Sequence, residues 1–103
     1  MAIKVVYLKI AINDLLAIFK FISYDSVKYA RLEVQKIKAF CETIKHHPLK
    51  GKEFKEVKGK FIRSVIFRNY IIFYFATEDQ INILTIHHHS RSLSNNPAFK
   101  SED

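Results

Sequence analysis

Three closely spaced runs near the C-terminus constrain the fold most: Lys60 to Phe67, Tyr70 to Phe75 and Ile81 to His88. In the first, Phe61, Arg63, Val65 and Phe67 alternate with Ile62, Ser64 and Ile66, the period of a strand. The second (Tyr70, Ile71, Ile72, Phe73, Tyr74, Phe75) is apolar or aromatic throughout, as expected of a strand covered on both faces. The third puts Leu84, Ile86 and His88 on one face and Ile81, Ile83, Thr85 and His87 on the other. Arg68-Asn69 fits a two-residue hairpin turn with Asn69 tolerating positive φ, and Thr77 to Gln80 form a second polar turn. The whole reads as an antiparallel meander.

The chain upstream supplies elements to cover that sheet. Ala2 to Leu8 alternates weakly and reads as a first strand. From Ala11 the period becomes helical, with Ala11, Leu15, Ile18 and Ile22 on one stripe and Leu16 and Phe19 beside it. Asp14 falls near the expected helix start, where the macrodipole favours an anion. Phe19 and Phe21 suggest that more than one face of this helix is covered. Ser26 is placed to cap a second helix, running to about His46. Its seam is Val27, Ala30, Val34, Ile37, Cys41 and Ile44, and its other face carries Lys28, Arg31, Lys36, Lys38 and Lys45. So short a connection implies an antiparallel helical hairpin. His47-Pro48 stops the second helix, because the residue before proline disfavours the helical region. Leu49 to Gly59 reads as a lysine-rich loop, and SLSNNPAFKSED after Arg91 as a loosely ordered polar tail.

The chain has 103 residues, 49% of them hydrophobic and 26% charged, which suits one globular domain. The expectation is therefore an α+β domain over residues 1–93, with residues 94–103 as the tail. Its N-terminal strand and two-helix antiparallel hairpin pack on an antiparallel sheet completed by the three-stranded C-terminal meander. Cys41 is the sole cysteine, so no internal disulfide forms and a reducing cytoplasm fits best. No apolar run approaches the roughly 18 residues of a membrane helix, and no membrane partner is expected. The net charge of +7 points to an anionic partner, either nucleic acid or an acidic protein.

The order strand, helix, helix, three strands resembles the RelE/ParE superfamily of bacterial type II toxins. Ala11-x-x-Asp14-Leu15-x-x-Ile18 with Phe21-Ile22 is similar to the first-helix pattern of that family, and Ser26-x-x-x-Ala30 to the start of its second helix. Pro48-x-x-Gly51-Lys52 is similar to its loop after the second helix. Arg63 and Tyr70 to Tyr74 resemble two of its strands, with Ile71 where a basic residue is common, and Ile83-Leu84-x-Ile86-x-His88-x-x-Arg91 resembles its closing pattern. The resemblance implies a toxin neutralised by a cognate antitoxin in a toxin–antitoxin hetero-oligomer, with no cofactor. RelE-like members cut mRNA on the ribosome, whereas ParE-like members inhibit DNA gyrase. The closing His-x-x-Arg and the Pro-x-x-Gly loop resemble the ParE-like or plasmid-stabilisation branch.

Candidate site residues follow. A nuclease needs a base, an acid and cations around the scissile phosphate. Arg63, His88 and Arg91 are the residues for that role, with Glu53 or Glu56 as a conceivable carboxylate; no tyrosine follows Tyr74 to supply the one that RelE-like members use. Arg63 either pairs structurally or points out of the sheet at a target. For target or antitoxin binding the candidates are Lys50, Lys52 and Lys55 in the loop, Arg68 at the turn, and Tyr70 and Tyr74 on one strand face. These tyrosines either stack on a base or pack in the core. His87, His88 and His89 cannot all ligate one ion, because successive strand residues face opposite ways, so no metal site is expected. Cys41 reads as a small buried hydrophobe.

Overall fold

The structure is a computed structural model and describes residues 3–100. Ala2, at the expected start of the first strand, and residues 101–103, at the end of the expected tail, lie outside it. The elements are β1 (Lys4–Tyr7), α1 (Lys9–Ser23), α2 (Val27–Thr43), β2 (Lys52–Val57), β3 (Lys60–Phe67), β4 (Tyr70–Ala76) and β5 (Gln80–His88), with 3-10 turns at Ile44–His46, Leu93–Asn95 and Pro97–Phe99. The sheet order is β1-β5-β4-β3-β2. The expected meander is β3-β4-β5, antiparallel throughout. The sheet as a whole is mixed, because β1 lies parallel to β5 with Lys4 opposite Gln80 and Tyr7 opposite Ile83.

The helices form the expected hairpin on one face of the sheet. Ser26 caps α2 by accepting a hydrogen bond from Tyr29 N–H at 3.1 Å. Ala30, Ile37, Cys41 and Ile44 of the seam are buried with Ala11 and Leu15 of α1, against Tyr70, Ile72, Tyr74, Ile81, Ile83 and Ile86. Phe40 stacks on Phe67 at 4.7 Å, which closes the core beside the β3–β4 turn. The expectation that α1 is covered on more than one face fails: Leu16 is 63% and Phe21 77% exposed.

Four further features depart from the sequence reading. The presumed loop after Gly51 holds a strand, β2, whose Lys52, Glu53, Lys55 and Glu56 scatter charge over both faces and erase any period. It is an edge strand with a register shift between Glu53 and Lys55, and lysines and bulges are what protect such an edge from stray pairing. In the β3–β4 turn it is Arg68, at φ 55°, that takes the left-handed conformation. Lys58 (φ 51°) and Gly59 (φ 80°) make a matching two-residue turn between β2 and β3. Finally, β5 contains a bulge: Phe73 pairs with Thr85 but Tyr74 with Ile83, so Leu84 is the extra residue. That flips the parity, placing Ile86 with Ile81 and Ile83 on the helix side and Leu84 on the other face.

The second face explains why β4 is apolar on both sides. Ile62, Phe73 and Phe75 form a separate cluster there, joined by Leu84, Leu93 and Phe99. The segment expected as a loose tail covers it: Phe99 lies 4.8 Å from Phe73 and 5.2 Å from Phe54, ring centre to ring centre. Asn96 anchors this segment by accepting from Ala98 N–H and donating to Thr85 Oγ1 and His87 Nδ1.

Candidate functional site

The loop from Pro48 to Gly51 is built by two side chains from neighbouring strands. The Tyr74 hydroxyl donates to Pro48 O at 2.8 Å and accepts from Gly51 N–H at 3.0 Å. Arg63, opposite Tyr74 in the sheet, donates from Nη1 to Leu49 O at 3.2 Å and Gly51 O at 3.0 Å, and its Nη2 stands 3.5 Å from Glu53 Oε1. Gly51 has no alternative, because a Cβ there would lie 2.6 Å from the Tyr74 hydroxyl. Burial pushes the Tyr74 phenol above its ordinary pKa, against the smaller opposing pull of Gly51 N–H and Arg63. The hydroxyl therefore keeps the proton it donates to Pro48 O.

Two of the candidates thus have structural partners. Arg63 is the paired arginine that fixes the loop, with only 19% of its side chain exposed. Tyr74 is fully buried and offers no ring to a partner. Tyr70 is also buried, its ring edge-on to His88 at 5.7 Å, so stacking on a base is closed to it. Arg68 leans on Glu33 of α2 at 2.7 Å and clips the β3–β4 turn to the helix. Lys50, Lys52 and Lys55 remain on the surface. Lys50 and Lys52 border a groove of about 350 Å³ between the end of α2 and β3, where Val65 and Ile66 follow the last residue that β2 pairs.

Arg63, His88 and Arg91 are not brought together. Arg63 sits opposite Tyr74 and His88 opposite Tyr70, on strands flanking β4. Four residues along a strand and two strands across separate their backbones by about 16 Å. His88 Nδ1 is engaged by Ser90 Oγ at 2.7 Å, and Arg91 is an exposed residue whose carbonyl accepts from His87 Nε2. Of the carboxylates, Glu53 is the one near Arg63, and Glu56 is exposed on β2. The three histidines take three environments, and among the described residues no three His, Cys, Asp or Glu side chains cluster.

Sequence reasoning missed a buried polar chain. Asp14 lies in the second turn of α1, past the dipole position, and accepts from Thr85 Oγ1 and, at 2.9 Å, from Ile86 N–H. β1 ends beside Ile83, so Asp14 supplies the acceptor that the bared edge of β5 lacks. A carboxylate only accepts, so Thr85 must donate to it and accept from Asn96; the second Asn96 hydrogen goes to His87 Nδ1, leaving His87 Nε2–H for Arg91 O. Arg91 O can only accept and the Asn96 amide nitrogen can only donate, so these two partners fix the tautomer of His87. The only signal in the sequence was an acid on an apolar helix. Cys41 is buried as expected, its thiol pushed up to about 12 chiefly by burial, against a hydrogen bond with Tyr7.

A family model described as "ParE toxin of type II toxin-antitoxin system, parDE" matches residues 5–93. Among solved structures, one described as "Chromosomal ParDE TA system from P. aeruginosa" superposes with a TM-score of 0.68 at 20% identity, covering 84% of this chain and 95% of that one. That likeness speaks to the fold. No curated protein matches. With the strand–helix–helix–strand order, the Tyr74-pinned loop and a family match across most of its length, the chain belongs to the ParE toxin family of type II toxin–antitoxin systems.

Proposed function

We propose that this toxin acts in the cytoplasm, that a cognate antitoxin neutralises it, and that it inhibits DNA gyrase by binding. Family membership supports the toxin reading. The observation that carries the choice of target is the fate of Arg63: its guanidinium is spent on Leu49 O, Gly51 O and Glu53, about 16 Å along and across the sheet from His88. An RNA-cleaving centre needs its acid, base and cation within reach of one phosphate. A binding toxin needs instead a rigid, cationic surface, and the held loop presents Lys50 and Lys52 in that way. The antitoxin, on this reading, lays a helix into the groove between α2 and the unpaired end of β3.

The test is induced expression in a bacterium, with growth, mRNA integrity and supercoiling by purified gyrase followed together. Blocked supercoiling with intact mRNA is the expected result. Rapid mRNA cleavage that disappears in His88→Ala or Arg91→Ala would replace this reading with a ribosome-dependent endoribonuclease. Arg63→Ala is a poor probe, since losing the loop mimics losing a catalyst; any variant is compared at matched thermal stability.

A further inference from the structure

The sheet face turned away from the helices is only partly covered by the C-terminal segment. Beside Phe99 lies a groove of about 570 Å³. Its floor is apolar: Ile62 is 2% and Phe75 8% exposed, with Leu84 next to them. Its rim is cationic. Lys55, Lys58, Lys60 and Lys100 border it, with Glu56 as the one acid. The Lys60 ammonium hangs 4.9 Å over the Phe75 ring, and Lys55 Nζ stands 5.2 Å from the Phe99 ring and 5.4 Å from Phe54. Among the described residues neither lysine meets a carboxylate. The left-handed Lys58-Gly59 turn holds this side of the rim in place.

We propose that this groove receives a short acidic segment of the antitoxin, with apolar side chains on the floor and carboxylates on the lysine rim. The proposal rests on the reading that an antitoxin binds this chain, and adds a second contact on the face opposite the α2 groove. Charge complementarity selects the occupant: an ammonium over an aromatic ring keeps most of its water and gains only about 0.5–1 kcal/mol from the ring at an exposed site, so it can still take a carboxylate. Nucleic acid fits less well. Bases need open aromatic faces on which to stack, and here Lys60 covers Phe75 while Ile62 and Leu84 make the rest of the floor aliphatic.

The experiment is a titration of isotopically labelled, full-length protein, observed by NMR. The probes are the peptide Asp-Leu-Glu-Ile-Asp-Phe-Glu, its counterpart with lysine at every acidic position, and a ten-nucleotide oligothymidine. The acidic peptide is expected to shift the Ile62 and Leu84 methyls and the amides of the Lys58-Gly59 turn, with saturation. Its affinity should fall at least about tenfold in the double variant Lys55→Glu/Lys60→Glu, two exposed positions, titrated well below the melting temperature of either protein. Equal binding of the lysine peptide, shifts centred instead on Ile12 and Leu16, an undiminished affinity in the double variant, or oligothymidine outcompeting the peptide would each overturn the proposal. Gyrase takes no part in this titration. Peptide binding with unimpeded gyrase would retain the groove and discard the target, and the reverse pattern would do the opposite.

Discussion

Replacing Tyr74 with phenylalanine removes a single oxygen and leaves the ring in the core, so its effect isolates the hydroxyl's hold on the loop. That oxygen serves two backbone groups, Gly51 N–H in a buried bond and Pro48 O in a partly buried one. A buried donor left without a partner costs about 1–3 kcal/mol, and Pro48 O, nearer to water, adds less. The expected loss is therefore about 2 kcal/mol, which for a domain of this size lowers the melting temperature by roughly 8–16 °C. Calorimetry gives the first number, and native-state hydrogen exchange localises it, because the Gly51 amide should lose its protection while the β4–β5 amides exchange only by global opening. Arg63→Lys supplies the second leg of a double-mutant cycle. Both side chains hold Gly51, so the double variant should fall short of the summed losses by at least about 0.5 kcal/mol. A melting shift under about 2 °C with the Gly51 amide still protected, or strict additivity in the cycle, would refute the account of the loop.

Other perturbations have equally defined outcomes. Asp14→Ala strips the acceptor from Thr85 and from Ile86 N–H; a loss of about 2–3 kcal/mol is expected, with the Ile86 amide exchanging fast and residues 93–99 more open to protease. Cys41 titrates near 12 in the folded chain against an ordinary thiol value of 9.0, so its contribution is intact below pH 9 and lost as pH rises from 9 toward 12. The unfolding free energy from denaturant titrations over that range should fall by up to about 1.4 kcal/mol per pH unit, and less steeply in Cys41→Ala. Phe99→Ala should cost about 2 kcal/mol, less than a fully buried phenylalanine, and expose the second sheet face to a hydrophobic dye.

The parts of the fold that could be read in advance are those whose residues carry a period. The β3, β4 and β5 runs alternate or stay apolar because their faces are buried, and the α2 seam repeats because it packs on them. β2 has no such face, and its charges suit an edge. The bulge at Leu84 belongs to the backbone and to no residue type, so strict alternation put Ile86 on the wrong side. Pro48, Gly51, Arg63 and Tyr74 each stood out by resemblance, yet their mutual contact spans distant parts of the chain and appears only in three dimensions. Ser92, Asn96 and Pro97 read as loose polar residues; in the fold Ser92 and Asn96 cap short 3-10 turns and deliver Phe99 to the sheet. The polar chain from Asp14 to His87 was invisible for the same reason as the loop. Its members only meet once the sheet exists.

The parallel pairing of β1 with β5 has a consequence in time. Lys4 leaves the ribosome early, but its partner Gln80 emerges only after most of the domain has been synthesised. At bacterial elongation rates that interval is on the order of 4–15 s. Through it the helical hairpin lacks β4 and β5, the surface on which its seam is buried, and the Tyr74 hydroxyl that pins the Pro48 loop is among the later groups to arrive. The Pro48 loop and the buried face of the helical hairpin are thus completed only late in synthesis, once β4 and β5 have joined them.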